Sequence, residues 1–263
     1  MKKGNTTDTF LNQMHGTMLT VIVHSEQAKS DFEGTVIDIE TTGEFCCDYP
    51  DSDSRQYQDV IPVIFGYIDK DALHILCAKG LQDIEELKAN IVQLVPRLIR
   101  PLLAFNCSFE KGVLFHSCGM VVDFDGELNK EAYEGKREAI TGLGIDNYDD
   151  PFCDVGLECK RAWDRGEYEL SIRHNRSCLL KERDILLRRG CRGPDELRLY
   201  DPTAQYDHNP RIHPMRTHTI TVGSRLLLGP PTGNTRPDLI PLAPPPAFCW
   251  FYGKHGVKLP VRL

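Results

Sequence analysis

The chain has 263 residues, of which 41% are hydrophobic and 26% are charged, the balance of a soluble globular protein. No apolar run reaches the length of a membrane span, and the N-terminus lacks the apolar core of a secretion signal, so we expect a cytoplasmic protein outside the membrane. The net charge of −7 does not favour non-specific nucleic-acid binding, although a metal site beside a basic strip would still permit a nuclease. The ten cysteines form no Cys-x-x-Cys pair, which argues against a structural zinc or iron–sulfur site.

The most informative stretch is Thr35-Val-Ile-Asp-Ile-Glu-Thr-Thr-Gly43, in which Asp38 and Glu40 alternate with isoleucines. This period of two predicts a β-strand with both carboxylates on one face, and Thr41-Thr-Gly43 is expected to end the strand in a turn. Two carboxylates this close require a cation between them, and a divalent metal with oxygen ligands is the usual one. The alternative is a strand end that becomes acidic where it meets solvent.

A β-β-β-α-β-α order is predicted around this strand, with an edge strand before it. The other predicted elements are strands at 18–24, 60–68 and 73–78, a helix at 81–94, a strand at 101–105 and a helix at 109–118. The first strands form an antiparallel meander, and the apolar strand at 101–105 is typical of a parallel strand buried on both faces. The prediction is an α/β fold with a ribonuclease-H-like mixed sheet: a three-stranded antiparallel meander plus parallel strands, flanked by helices.

The sequence after residue 120 predicts fewer elements. We expect a polar helix around 130–140, a helix whose N-cap is Asp154, and a helix at 177–189 closed by Gly190. Twelve of the 17 prolines fall between residues 194 and 263.

These patterns divide the chain into three parts. We predict an N-terminal extension at 1–33, an α/β domain at 34–191 and a proline-rich, extended or partly disordered appendage at 192–263. The appendage carries nine Lys or Arg and five Asp or Glu, so the first 191 residues have a net charge of −11.

A second acidic element lies at 104–114. Asn106 ends the predicted buried strand, and Glu110 falls in the first turn of the next helix. Ligands collect at the carboxyl ends of such strands, so we expect Glu110 to converge with Asp38 and Glu40. In the alternative, Asn106 caps the helix and Glu110 is a solvated residue favoured by the helix dipole.

Both acidic elements carry a resemblance to a known family. Val36-Ile-Asp-Ile-Glu-Thr-Thr-Gly43 resembles the first motif of the DnaQ-like, or DEDD, 3′–5′ exonuclease superfamily. Ala104-Phe-Asn-Cys-Ser-Phe-Glu110 is similar to its second motif, Asn-x-x-Phe-Asp, with Glu110 in the place of the usual Asp. The resemblance spans residues 34 to about 190 and implies a ribonuclease-H-like fold.

The third motif departs furthest from the family. His174-Asn175 resembles the Tyr-Asn that begins this motif in YprB-type nucleases, and the expected Asp then falls on Cys178. Residues 174, 178 and 182 share a helix face, so Glu182 is the candidate substitute ligand. The bland alternative for His174 is a polar residue near the start of a helix.

The resemblance implies hydrolysis of phosphodiester bonds with two Mg²⁺ or Mn²⁺ ions. Its implied residues are the metal ligands Asp38, Glu40, Glu110 and Glu182, the general base His174, and Thr41, Asn106 and Phe109 towards the substrate. Lys181, Arg183, Arg188 and Arg189 would either guide phosphates or form a solvated helix face.

Two functions follow from these expectations. The leading hypothesis is a metal-dependent 3′–5′ exonuclease that acts on single-stranded DNA or RNA, with single-stranded 3′ ends as its partner. The competing hypothesis is a catalytically inactive ribonuclease-H-like module that serves in nucleic-acid binding or assembly. Cys178, in the place of a metal-binding Asp, favours the second.

Overall fold

The computed structural model describes residues 21–132 and 134–200, together with the backbone of strands at 248–252 and 258–262. The described elements are β1 (Ile22–Gln27), β2 (Thr35–Gly43), β3 (Val60–Ile68), β4 (Ala72–Cys77), α1 (Ile84–Leu94), β5 (Leu102–Ala104), α2 (Cys107–Cys118), β6 (Gly126–Glu127), α3 (Lys136–Leu143), α4 (Gly156–Asp164), α5 (Tyr168–Arg189), β7 (Phe248–Tyr252) and β8 (Lys258–Arg262). The predicted loose N-terminus and the proline-rich stretch at 201–247 lie outside the described residues.

Strands β1 to β6 form one mixed sheet in the order β1-β4-β3-β2-β5-β6. β2, β3 and β4 are antiparallel neighbours, which confirms the predicted meander. β5 runs parallel to β2, and β6 runs parallel to β5. β1 pairs with β4 at the edge of the sheet, as predicted for the β-branched run. The α/β class, with a mixed sheet flanked by helices, is therefore confirmed.

β2 is a central strand, buried from Thr35 to Glu40. Asp38 and Ile37 both have no exposed surface although successive side chains point to opposite faces, so both faces of the sheet are covered here. The turn predicted at Thr41-Thr-Gly43 is wrong, because β2 continues through Gly43 after a bulge between Glu40 and Thr41. Pairing of these residues with the start of β3 overrides the local turn preference.

Several element boundaries differ from prediction after residue 120. α5 begins at Tyr168 rather than Ser177, and β6 was not predicted. The polar helix is α3, which begins at Lys136 rather than near residue 130. Asp154 is not an N-cap: the cap of α4 is Val155, and the Asp154 carboxylate binds Lys181 instead.

α5 packs closely against β3 at Gly66. A Cβ at this position would lie 2.8 Å from Leu179 Cδ1 and closer still to Asn175 Oδ1. Gly66 pairs with Asp38 on the neighbouring strand, so the close approach seats α5 directly over the first acidic residue. The missing side chain at Gly66 therefore lets α5 reach β2.

We predict that Gly66→Ala lowers the free energy of unfolding by about 1–3 kcal/mol, because overpacking forces α5 away from the sheet. Urea denaturation followed by circular dichroism measures this loss. The matched control is Gly142→Ala on α3, where a Cβ meets no atom within 4 Å. This control should gain up to about 1 kcal/mol from helix propensity. Equal stability of Gly66→Ala and the wild type would contradict the close packing.

Candidate functional site

Asp38 is fully buried and binds two side chains from different helices. Its Oδ1 accepts Lys136 Nζ from α3 at 3.1 Å, and its Oδ2 accepts Asn175 Nδ2 from α5 at 2.6 Å. The Lys136 ammonium also contacts the Glu182 carboxylate and lies 5.6 Å from the centre of the Phe105 ring. The side chains of Asp38, Lys136 and Glu182 are each 0% exposed. We call these three residues the lysine pocket.

Burial opposes the charged form of Lys136, but the groups around it, Asp38 first and then Cys178 and Glu182, raise the pKa of Lys136 well above its usual value. A cation therefore already lies between two carboxylates that the family resemblance assigns to metal ions.

A second set of side chains lies beside the lysine pocket. Ligand atoms of Glu40, Cys159 and His174 lie within 4.8 Å of one another, and so do those of Asp38, Glu40 and Cys178. His174 Nε2 links the two sets, since it is 3.7 Å from Glu40 Oε1 and 3.8 Å from Cys178 Sγ. We call Glu40, Cys159, His174 and Cys178 the thiol–histidine group. All four are buried.

Asp150 fixes the orientation of the His174 ring. Its Oδ1 lies 2.7 Å from His174 Nδ1, and its Oδ2 accepts Lys181 Nζ at 2.8 Å. Lys181 also donates to Asp154 Oδ1 at 2.8 Å. Burial favours the neutral acid, but the hydrogen bond from His174 and the ammonium of Lys181 hold the pKa of Asp150 well below its usual range.

Burial lowers the pKa of His174, but the groups around the ring, Cys178 first and then Glu40 and Asp150, raise it well above its usual value. Burial raises the pKa of the Cys178 thiol, an effect that the nearby His174 and Lys136 partly offset.

The structure distributes the other predicted metal ligands differently from the expected cluster. Glu182 lies in the lysine pocket, one helical turn from Cys178. Glu110 is buried in the first turn of α2 and belongs to neither of the two sets of possible ligands. Its charge adds to burial in raising the pKa of Tyr57. Of the predicted ligands and catalytic residues, Asp38, Glu40 and His174 lie together in one region of the structure.

The residues expected towards the substrate have other contacts. Asn106 is the N-cap residue of α2, but its side chain makes no capping hydrogen bond. Phe109 is buried and packs edge-to-face on Tyr57, with the ring centroids 5.9 Å apart, and also against Phe45. Thr41 is half-buried on β2. Phe109 thus contributes to an aromatic cluster of the core.

The region where β5 ends and α2 begins is covered by the chain after α5. Glu127, at the end of β6, accepts the backbone N–H of Cys107 at 3.1 Å and that of Asp195 at 2.9 Å. Arg192 Nη2 lies 3.1 Å from the same carboxylate. The first N–H of α2 is therefore bound by a protein carboxylate, and residues 192–195 lie across this edge of the sheet.

The basic residues of α5 bind protein groups. Lys181 is buried between two aspartates, so both expected roles, phosphate guide and solvated residue, are wrong for it. Arg183 lies 2.8 Å from Asp184, and Arg189 contacts Glu134 at 2.5 Å. Arg188 binds the backbone carbonyls of residues 143 and 144.

Three members of the site were missed by sequence reasoning: Lys136, Asp150 and Cys159. A fully buried lysine is rare, and nothing in the polar α3 sequence distinguishes Lys136 from its exposed neighbours. Asp150 and Cys159 match no motif spacing. Their roles depend on how the segment from 128 to 164 folds back on the sheet.

The arrangement does not fit a pair of magnesium ions. Magnesium favours oxygen ligands and retains several waters, whereas here a thiol stands where the resemblance expects a carboxylate, and the residues are buried. Both oxygens of Asp38 already bind protein donors. A buried ammonium at 3.1 Å from Asp38 repels a second cation in the same place.

Comparisons with protein-family models, with curated proteins and with solved structures found no match to this chain. The resemblance to exonucleases therefore rests on the motif residues of the sequence alone. Within the described residues, no helix combines the length and the apolar character that crossing a bilayer requires.

We predict that Lys181→Met lowers the free energy of unfolding by about 3–5 kcal/mol, because it leaves Asp150 and Asp154 buried without their shared cation. Urea denaturation at neutral pH measures the loss. The control is Lys160→Met, which breaks a surface pair with Asp164 at 3.2 Å and should change stability by about 0.5 kcal/mol or less. If both variants lost the same small amount, Lys181 would not be a buried structural cation.

Proposed function

We propose that this α/β unit is a catalytically inactive ribonuclease-H-like module that serves in assembly with other macromolecules. One observation carries the proposal: the Lys136 ammonium lies 3.1 Å from Asp38 and contacts Glu182, fully buried, in the place where the resemblance puts a metal ion. An inactive module keeps the fold and the acidic strand but replaces the metal by a protein cation.

The sheet topology supports the ribonuclease-H-like part of the proposal. Strands β4-β3-β2 form the antiparallel meander, and β5 and β6 continue the sheet in parallel on the other side of β2. Asp38 lies on the central strand, next to the parallel neighbour that leads into the second motif. β1 extends the meander by one edge strand.

Electrostatics argue against two metal ions beside this lysine. A dication about 4 Å from an ammonium is repelled by roughly 8 kcal/mol at an effective dielectric constant of 20. Two such ions would therefore require Lys136 to leave the pocket. The described geometry instead pairs the Asp38 and Glu182 charges within the protein.

Assembly is favoured over nucleic-acid binding by the contacts of four basic residues of α5. Within the described residues, Lys181, Arg183, Arg188 and Arg189 all bind protein groups. The first 191 residues also carry a net charge of −11. Phosphate backbones bind through available Lys and Arg side chains, so this charge distribution favours a protein partner.

A second candidate, the metal-dependent 3′–5′ exonuclease, is favoured by one observation. Ligand atoms of Asp38, Glu40 and Cys178 lie within 4.8 Å of one another. The two acids of the first motif are therefore close to the position at which the resemblance expects a third carboxylate, as that activity requires. In this candidate Lys136 would be displaced when metal and substrate bind.

The two candidates predict opposite results with end-labelled single-stranded DNA and RNA in Mg²⁺ or Mn²⁺. We expect no shortening by the wild type, by Lys136→Ala or by the surface control Lys130→Ala, because the site holds no pair of hard metal ions. Denaturing gels show the product lengths. A ladder shortening from the 3′ end, lost in EDTA and in Asp38→Ala, would establish the exonuclease instead.

Fluorescence anisotropy on the same oligonucleotides tests binding, and tight binding that weakens steeply with salt would favour a nucleic-acid partner over assembly.

A triple-mutant cycle tests the lysine pocket itself. We predict that Lys136→Met alone lowers the free energy of unfolding by about 3–5 kcal/mol, because it leaves buried carboxylates without a cation. Lys136→Met combined with Asp38→Asn and Glu182→Gln should lose clearly less than the sum of the separate changes, since neutral partners need no cation. Urea denaturation measures all variants. Strict additivity would show that the three residues do not act as a unit.

A further inference from the structure

We propose that Glu40, Cys159, His174 and Cys178 form a closed, tetrahedral zinc site that joins β2, α4 and α5. The proposal concerns the thiol–histidine group and not the lysine pocket. It rests on the proposed absence of catalysis, because an exonuclease would use Glu40 as a ligand of its own ions and His174 as its base.

Five of the six pairs of ligand atoms in this group are known to lie close together. Zinc bonds of about 2.0–2.3 Å place neighbouring ligand atoms about 3.3–3.8 Å apart. His174 Nε2 lies 3.7 Å from Glu40 Oε1 and 3.8 Å from Cys178 Sγ. The ligand atoms of Glu40, Cys159 and His174 lie within 4.8 Å of one another, and Cys178 Sγ lies within 4.8 Å of Glu40. An ion bound between Glu40 and His174 would draw both thiols towards it.

The orientation of His174 is that of a metal ligand. Its Nδ1 lies 2.7 Å from the Asp150 carboxylate, which leaves Nε2 directed towards Glu40 and Cys178. Metal-binding histidines commonly donate their other N–H to a carboxylate, which fixes the tautomer and makes the ligand nitrogen more basic. Lys181 holds Asp150 in turn at 2.8 Å. The outer support of a metal site is therefore already in place.

The chemistry of the donors selects zinc over magnesium. Two thiols, an imidazole and one carboxylate are the ligand types of zinc, while magnesium favours oxygen. Four protein ligands leave no open position, which is the pattern of structural sites. All four side chains are buried, so a substrate would have no access to the ion.

The surrounding charge also favours a cation. This buried region contains two ammonium groups, those of Lys136 and Lys181. The carboxylates around them belong to five residues: Asp38, Glu40, Asp150, Asp154 and Glu182. Lys136 neutralises the Asp38 side of the region, and Lys181 the Asp150 side. Glu40 Oε1 instead faces His174 Nε2 at 3.7 Å, the atom through which the ring would bind the ion.

Such a site would hold α5 on the sheet. His174 and Cys178 are one helical turn apart on α5, Cys159 lies on α4, and Glu40 lies on β2. Zinc would thus connect segments that are far apart in the sequence. Because the thiols must lose their protons to bind, zinc affinity should rise with pH.

The metal content of the full chain tests the proposal. Protein purified without chelator should retain one zinc per chain by elemental mass spectrometry, and Cys159→Ser and Cys178→Ser should each lose most of it. The control is Cys77→Ser, which removes a buried thiol on β4 outside the group and should leave the zinc content unchanged. Zinc-free wild-type protein that cannot be loaded, or zinc retained equally in all variants, would overturn the site.

Cobalt substitution separates ligand loss from misfolding. Co²⁺ bound by two thiolates in a tetrahedral site gives thiolate charge-transfer absorption and strong visible bands. We expect about half of the charge-transfer intensity in each cysteine variant that remains folded by circular dichroism. Asp150→Asn should keep the bands but weaken zinc binding by about 10–100-fold in a chelator competition, because Asp150 only positions the ring. Cobalt bound without thiolate bands would overturn the proposed ligand set.

Discussion

The buried ammonium of Lys136 is the interaction on which the arrangement of the site depends. Taking one such ion out of water costs several kcal/mol, so it is stable only where its partners are fixed in place. These partners are Asp38 from β2 and Glu182 from α5. Asp38 and Lys136 are 98 positions apart in the sequence. α3 is therefore joined to β2 and α5 at once, and Asn175 joins α5 to β2 through the same Asp38 carboxylate.

An ion pair and a metal centre place opposite demands on the same carboxylates. Catalytic magnesium needs ligands open to water and substrate, whereas a lysine–carboxylate pair is strongest when water is excluded. Asp38 is closed from every side: Lys136 and Asn175 bind its oxygens, and the sheet covers its backbone. A fold that retained an acidic central strand without its metals would need such a cation, because the burial of Asp38 is set by the sheet and not by the activity.

The sequence predicted the sheet better than the site, for physical reasons. Period-two alternation and apolar runs identified β2, β3 and β5 because these strands are buried by hydrophobic contact. The start of α5 was missed because Ser171, His174 and Asn175 are polar yet buried, and hydrophobic periodicity cannot detect them. In the site, motif likeness found Asp38, Glu40 and His174, whereas Lys136 and Cys159 come together with them only through folding of distant segments. The residue pattern within one segment does not predict contacts between distant segments.

Asp38 and Glu40 point to the same face of β2, and their mutual repulsion is relieved by a separate partner for each. Asp38 takes the Lys136 ammonium, while Glu40 faces His174. The proposed zinc ion would bind on the Glu40 side, displacing the thiol protons of Cys159 and Cys178. The ion would add to the contact that α5 already makes with β2 through Asn175, so the fold need not collapse when the metal is absent. The lysine pocket, which has its own cation, keeps β2, α3 and α5 together in either state.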